Sequence, residues 1–159
     1  MKRACTLTLL SLLVLPSLAL AESHASNTVA EVKKTIKKSN AYTRKNLESP
    51  PDGVAKGGSD EFWSSGGLMT WANPALEARK WESFNLHAKH IKVIPLVEGK
   101  VALAMYYYEG SMQPVGYPLV SHYMTRVSEV YVNEDGKWKR RSAHWSAITG
   151  GSGTSQSAE

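Results

Sequence analysis

The sequence predicts a single α+β domain in which one helical region is followed by a run of antiparallel strands. Three observations predict it. Residues 28–46 place apolar side chains on one face at helical spacing, and residues 90–148 contain runs of strand-forming residues separated by turn signals. Between them, the proline- and glycine-rich segment 49–60 cannot continue a helix. A helix, an irregular segment and then strands is the order typical of α+β domains.

The first 21 residues have the features of a secretory signal peptide. Lys2 and Arg3 precede an apolar run over residues 4–20, and Ala19-Leu20-Ala21 has the small-x-small pattern that signal peptidases cleave. The run is shorter than a membrane span usually is and contains Pro16. We therefore expect cleavage after Ala21, a periplasmic or secreted protein, and no membrane attachment after cleavage.

The composition of the remaining chain excludes several classes of protein. We expect one domain over residues 22–149 and a flexible, polar, glycine-rich tail over residues 150–159. The single cysteine, Cys5, lies in the signal segment, which excludes disulfides and thiol chemistry from the mature domain. Without Lys2 and Arg3, the 19 basic residues fall to 17 against 14 acidic ones. Because this excess is small and lies in amphipathic segments, no nucleic-acid partner is expected.

The element boundaries follow from local signals. Thr28 and Glu31 form a capping box that predicts the start of the helix, which then runs to about Asn46. Phe62 and Trp63 predict a short strand, and residues 73–84 predict a helical turn and a linker. Four longer strands are predicted over residues 90–97, 100–110, 120–132 and 137–148.

The last hairpin allows side chains to be assigned to faces. A three-residue loop over residues 134–136 would pair Asn133 with Lys137 and place Arg126 opposite His144. Trp138 would then lie on the same face as Arg126 and His144, among small serines that leave space for a pocket. The other face would carry a cross-strand ion pair between Glu129 and Arg141 on a wet surface.

The residues of this hairpin carry a family resemblance. The pattern V-x-V-N-E-D-G-K-W-K-x-R-x-x-H-W-S, residues 130–146, resembles the final hairpin of SnoaL-like domains in the nuclear transport factor 2-like superfamily. The segment KHIKVIPLVEGKVALAMYYYEG is similar to the central strands of that family, and the resemblance covers residues 28–149. Trp138, His144 and Ser146 stand at the family's Trp, His and Ser positions. Ser142 stands where a second His is common, and Glu129 where kinase-type members have an Arg.

The resemblance implies a cone-shaped fold. This fold, a nuclear transport factor 2-like or cystatin-like roll, is a strongly curved antiparallel sheet packed on N-terminal helices around a central pocket. Members of the superfamily use that pocket as isomerases, dehydratases, cyclases or epoxide hydrolases, while others bind small molecules or hold an oligomer together. Many pair as homodimers through the outer face of the sheet.

The resulting functional prediction is an aromatic and polar pocket that binds a small organic molecule in a homodimeric protein. Arg126 and His144 would hold a polar or anionic group, because cationic and hydrogen-bonding side chains suit such a group. The predicted pocket lining is Trp63, Tyr106, Tyr108, His122, Arg126, Trp138 and His144.

Two alternatives stay open at this point. One is a lyase or isomerase in which His144 is the catalytic base and a tyrosine the acid. The other is an oligomerisation module with a filled cavity. No cofactor or metal is expected, because the His87-x-x-His90 spacing has no carboxylate nearby in sequence. Ser146 and His144, two apart on one strand, lack the sharp turn that presents a serine nucleophile.

Overall fold

The computed structural model describes residues 17–76 and 78–148, and within these ranges the chain forms one helix and six strands. Residues 1–16 of the predicted signal peptide, which spans residues 1–21, and the predicted tail over residues 150–159 lie outside the described residues. No helix within the described ranges is long and apolar enough to cross a membrane. The elements are α1 (Ser17–Asn46), β1 (Ser59–Phe62), β2 (Thr70–Ala72), β3 (Trp81–Val97), β4 (Val101–Pro114), β5 (Val120–Glu134) and β6 (Lys137–Ala147).

The strands form one curved, unclosed sheet in the order β2-β1-β6-β5-β4-β3. All neighbours are antiparallel except β1 and β6, which are parallel. Helix α1 packs on one face, which we call the inner face; the opposite side is the outer face. The predicted α+β architecture is confirmed, with one helix in the described residues where the family resemblance implied more than one.

The predicted end of the helix at Asn46 is confirmed, but its predicted start is wrong. The helix already includes Ser17, so Thr28 lies inside it and does not cap it. The buried hydroxyl of Thr28 instead accepts a hydrogen bond from the Gly99 amide at 3.0 Å. Glu31 accepts one from Trp138 Nε1 at 2.9 Å. The two polar side chains that suggested a cap therefore tie the helix to the sheet.

The four longer predicted strands are confirmed, and two elements differ from expectation. Strand β3 begins at Trp81, although a linker was predicted up to residue 84, and β2 was not predicted. The first half of β3 pairs with the end of β4, with Phe84 opposite Met112 and Leu86 opposite Gly110. Pairing with a neighbouring strand thus overrides the weak local propensity of this segment.

The core lies between α1 and the inner face. Val32 and Ile36 of the helix are buried against side chains from β3 to β6. Tyr106 and Tyr108 point inward, while Tyr107 lies on the outer face and is exposed, as the alternation of a strand requires. The buried members of this core on the sheet are Val93, Ala102, Ala104, Tyr106, Val127, Tyr131, Trp138, Ala143 and Trp145.

The predicted register of the last hairpin is wrong. Glu134 pairs with Lys137, so the turn has two residues, Asp135 and Gly136, with φ angles of 55° and 79°. Positive φ at both positions is characteristic of the type I′ turn that Asp-Gly favours. Tyr131 therefore pairs with Arg140, where Val130 was predicted.

A β-bulge then shifts the register by one more residue. Val130 pairs with Ser142, which leaves Arg141 as an extra residue on β6. The bulge changes which side chains point inward. Before it, Trp138 and Arg140 face the core, and after it, Ala143 and Trp145 do. The outer face consequently receives His144.

Candidate functional site

The structure divides the seven predicted pocket residues between the two faces of the sheet. Trp63, Tyr106, Tyr108 and Trp138 lie on the inner side, in or against the core. The Tyr106 and Tyr108 rings meet edge to face, with centroids 5.2 Å apart. Trp138 is buried and bonded to Glu31 on the helix. These four aromatic residues therefore lie together on the inner side of the sheet, as lining a common pocket requires.

The other three residues lie on the outer face, so the predicted pairing of Arg126 with His144 is wrong. Arg126 is opposite Ser146 and donates to the Ala147 carbonyl at 3.3 Å. His144 is opposite Ser128, and its ring lies 5.7 Å from that of Phe62. His122, Arg126 and His144 are all exposed. The physical reason is the two-residue turn followed by the bulge, which turns this part of the even-numbered face outward.

Two open grooves lie beside these outer residues. A groove of about 460 Å³ is lined by His87, Lys89 and His122 among others, and a second of about 370 Å³ by His90, Tyr107 and Arg126 among others. In the first groove, the His87 ring is hydrogen-bonded through Nδ1 to Arg44 Nη1 at 2.6 Å and through Nε2 to Asn85 Oδ1 at 3.1 Å. Both grooves are open to solvent, so neither provides the enclosed surroundings that bind small molecules well.

The chemistry on the inner face centres on Arg140, which was not among the predicted site residues. Its Nε and Nη2 atoms each lie 2.9 Å from Glu61 Oε1. Its Nη1 lies 3.7 Å from Glu129 Oε1. The side chain of Glu61 is 0% exposed and that of Arg140 is 24% exposed. A partly buried arginine therefore lies between two buried carboxylates, because Arg140 precedes the bulge in β6 and shares the inward face of Trp138.

Glu129 is buried in this cluster and does not form the predicted ion pair with Arg141. The hydroxyls of Tyr106 and Tyr131 donate to Glu129 Oε2 at 2.8 and 2.7 Å. Burial raises the pKa of Glu129, while Arg140 and the two hydroxyls oppose that rise. Burial and the neighbouring Glu129 charge also raise the pKa values of both tyrosines, which keeps them protonated as donors. Arg141 instead pairs with Asp60 at 2.7 Å, where both side chains are about 40% exposed.

The pKa of Glu129 gives a pH prediction with a definite sign. A folded-state pKa above the unfolded value means that the folded state holds the proton more tightly, so ionising Glu129 lowers the free energy of unfolding. This contribution is lost as the pH rises from the unfolded pKa through the folded one. In Glu129→Gln the side chain does not titrate. We expect the wild-type free energy of unfolding, measured relative to Glu129→Gln, to fall as the pH rises across that window.

Urea denaturation at a series of pH values between about 4 and 8 measures this difference. Comparison with the variant subtracts the titration of other carboxylates such as Glu109, whose pKa is lowered by Lys89. A pH-independent difference, or a difference of the opposite sign, would show that Glu129 is not buried as a carboxylate.

An aromatic stack adjoins the ionic cluster. The Trp63 and Trp145 rings are stacked, with centroids 4.6 Å apart and planes 20° apart. The Arg79 guanidinium lies over Trp63, with its Cζ atom 3.8 Å from the ring centroid. Since Trp145 and Arg79 cannot occupy the same side of the ring, Trp63 is held between them. Trp63 Nε1 also donates to Thr70 Oγ1 at 2.8 Å, which fixes the orientation of the indole.

Arg79 connects the stack to the buried carboxylate. Its Nη1 atom lies 3.5 Å from Glu61 Oε2, and its side chain is 44% exposed. Within the described residues, Glu61 Oε2 is buried and has no partner at hydrogen-bond geometry, so this looser ion pair is its charged contact. The cluster thus opens to solvent at Arg79 and Trp63, and we call these residues, with Glu61, Glu129, Arg140 and Trp145, the inner cluster.

Sequence reasoning missed most of the inner cluster, and one signal could have found part of it. Reading Asp135-Gly136 as a type I′ turn places Tyr131 opposite Arg140, so that the odd-numbered residues of β5, Glu129 among them, share the inner face with Trp138 and Arg140. The bulge at Arg141 has no comparable sequence signal. The parallel pairing of β1 with β6, which brings Glu61 beside Ala143, also connects segments far apart in sequence.

Comparisons with solved structures agree with this architecture. A nuclear transport factor 2-like protein of unknown function from Pseudomonas putida superposes with a TM-score of 0.51 at 14% identity, covering 84% of this chain and 98% of that one. A second such protein, with a cystatin-like fold, from Novosphingobium aromaticivorans has a TM-score of 0.55 at 12% identity, covering 88% and 94%. The chain has the nuclear transport factor 2-like fold.

The fold prediction made from the hairpin motif is therefore confirmed. No family model matches the chain, and no curated protein matches it. In nuclear transport factor 2-like proteins, as in other folds used for many purposes, the architecture alone does not assign an activity. The function has to be argued from the inner cluster and its surroundings.

Proposed function

We propose that this protein binds a small organic molecule at the open end of the inner face, where Trp63, Arg79 and Glu61 meet. The observation that carries the proposal is a fully buried carboxylate whose Oε2 atom is approached, in the described structure, by a half-exposed arginine at 3.5 Å. A buried ionic group of this kind adds little net stability compared with apolar packing, so its presence favours a binding role. Aromatic faces with a few polar groups are also what ligand sites usually contain.

The outer-face residues do not support the catalytic alternative. His144 lies on the opposite face of the sheet from Tyr106 and Tyr108, so it cannot exchange a proton with either hydroxyl directly. Ligand binding by Arg126 and His144 together is likewise not proposed. The SnoaL-like assignment rests on the motif of the last hairpin and remains part of this proposal.

We further propose that the protein is exported and forms a homodimer through the outer face. Support for export comes from the signal-like residues 1–21. Support for the dimer comes from the apolar side chains of Phe62, Met105 and Tyr107 on that face. Four charged residues of the outer face are paired within the chain, Lys89 with Glu109 and Asp60 with Arg141. This pairing lowers the desolvation cost of burying the outer face in a dimer.

One experiment tests these proposals together: mass spectrometry of the protein purified from the periplasm, first native and then denatured. We expect a dimer mass, a subunit lacking its first 21 residues, and a small molecule that is released on denaturation. Trp63→Leu should abolish ligand retention, while the outer-face control His144→Ala should retain it. A ligand lost from His144→Ala and kept by Trp63→Leu would place binding on the outer face and contradict the proposal.

A further inference from the structure

The position of Arg79 carries an inference about the chemical class of the ligand. We propose that the Arg79 guanidinium is the internal occupant of a site for an organic cation, and that the ligand replaces it there. This inference rests on the proposed function, since it concerns the same inner cluster. It specifies a monovalent, planar, weakly hydrated head group such as an alkylguanidinium.

The first step is the pair of groups that Arg79 contacts. The aromatic face of Trp63 lies 3.8 Å from its Cζ atom, and the buried Glu61 Oε2 lies 3.5 Å from its Nη1 atom. A ring face beside a carboxylate oxygen is the arrangement that recognises organic cations. A guanidinium suits it better than an ammonium, because it is planar, stacks on indole and is more weakly hydrated.

The second step is the charge of the inner cluster. With both carboxylates ionised, Glu61 and Glu129 carry two negative charges, and Arg79 and Arg140 carry two positive ones. Arg140 is committed to both carboxylates and lies deeper than Arg79. When the Arg79 side chain leaves, the remaining groups have one uncompensated negative charge in a buried setting. A buried, unpaired charge is costly, so the vacated position favours a cation and disfavours an anion.

The third step is how Arg79 can leave. Its backbone is fixed, because its carbonyl accepts a hydrogen bond from the Ser49 amide at 2.8 Å. Its side chain is 44% exposed and has the long, flexible stem that allows it to swing into solvent. Trp63 stays in place through its bond to Thr70 and its stacking on Trp145. Exchange of the occupant therefore needs only a side-chain rotation, and Arg79 competes with the ligand in the wild type.

The test is a titration of Arg79→Ala with ethylguanidinium chloride, followed by calorimetry and by the thermal midpoint, at ionic strength held constant with sodium chloride. We expect saturable binding that is at least about tenfold tighter than in the wild type, as removal of a competing internal group predicts. The midpoint of Arg79→Ala should rise with ethylguanidinium. Lys80→Ala, which removes the adjacent exposed cation, is the matched control and should behave like the wild type.

Two further variants keep the proposal falsifiable. Adding Glu61→Gln to Arg79→Ala should abolish the binding of ethylguanidinium. Because Glu61→Gln also removes the ion pair of Arg140, a second double variant is needed. Trp63→Leu combined with Arg79→Ala leaves that ion pair in place and should also abolish the binding. Equal binding by Arg79→Ala and wild type would overturn the inference. Tight binding of sodium propionate to wild type that is lost in Arg79→Ala would also overturn it, by showing an anion site. That result would leave the proposed function intact, whereas retention of a ligand by the outer face would not.

Discussion

Replacing Arg140 with alanine is expected to destabilise the protein by about 3–5 kcal/mol, as removal of one partner from a buried ion pair does. The variant leaves Glu61, which is 0% exposed, and Glu129, which is nearly as buried, without their shared cation. Since small domains are stable by only about 5–15 kcal/mol, much of the folded population could be lost at moderate temperature. Urea denaturation of the two proteins measures the difference directly.

Arg141 provides a matched control one residue along the same strand. It pairs with Asp60 on the outer side, where both partners are about 40% exposed, and Arg141→Ala should therefore cost less than about 1 kcal/mol. A second comparison separates charge from packing. Arg140→Met combined with Glu61→Gln and Glu129→Gln should be more stable than Arg140→Met alone, because the uncompensated charges are gone. Equal costs for the Arg140 and Arg141 variants would contradict the burial of this cluster.

Gly110→Ala is expected to be the most disruptive change outside the inner cluster. Gly110 has a φ angle of 140°, and a Cβ atom at this position would lie 2.0 Å from the Asn85 carbonyl oxygen. The obstacle is backbone of the paired strand β3, so relief requires β3 and β4 to separate where Leu86 pairs with Gly110. We expect a loss of at least about 3 kcal/mol, measured by thermal and urea denaturation.

Gly136→Ala shows what the backbone conformation alone contributes. Gly136 also has a positive φ angle, 79°, but nothing lies within 4 Å of the position where its Cβ would be. Its substitution should cost only about 1–2 kcal/mol, which is the strain of a left-handed conformation. If Gly110→Ala were no worse than Gly136→Ala, the close approach of β3 and β4 at Gly110 would be wrong.

The sequence predicts the fold better than it predicts the site, and the last hairpin explains the difference. The fold depends on hydrophobic periodicity and on the order of the elements, and these survive an error of one residue in pairing. The assignment of side chains to faces does not survive it, because a slip of one residue moves every side chain to the opposite face. The turn at Asp135 is one residue shorter than predicted, and the bulge at Arg141 was not predicted. Together they give the last two strands a pairing that differs from the predicted one, although both strands lie where they were predicted.

The consequences differ from residue to residue. Tyr106 and Tyr108 were placed by simple alternation within one strand, and they face inward as expected. His144 and Arg126 were placed by the register across two strands, and both lie on the outer face. Glu61 lies on β1, which pairs in parallel with β6. Arg79 lies in the connection between β2 and β3 and reaches Glu61 through its side chain. No local pattern reports such contacts.

The five tryptophans, at positions 63, 71, 81, 138 and 145, offer the most direct test of where the protein binds its ligand. Each indole N–H gives its own signal in a ¹H–¹⁵N correlation spectrum. Titrating the wild type and Arg79→Ala with ethylguanidinium, and separately with propionate, reports which indoles sense either ion. Binding at the inner cluster predicts saturable shifts for Trp63 and Trp145, with Trp71, the indole bonded to Gly57, unaffected. Saturable shifts that leave Trp63 and Trp145 unchanged while moving signals of the outer face, such as the His122 and His144 rings, would contradict a binding site at the inner cluster.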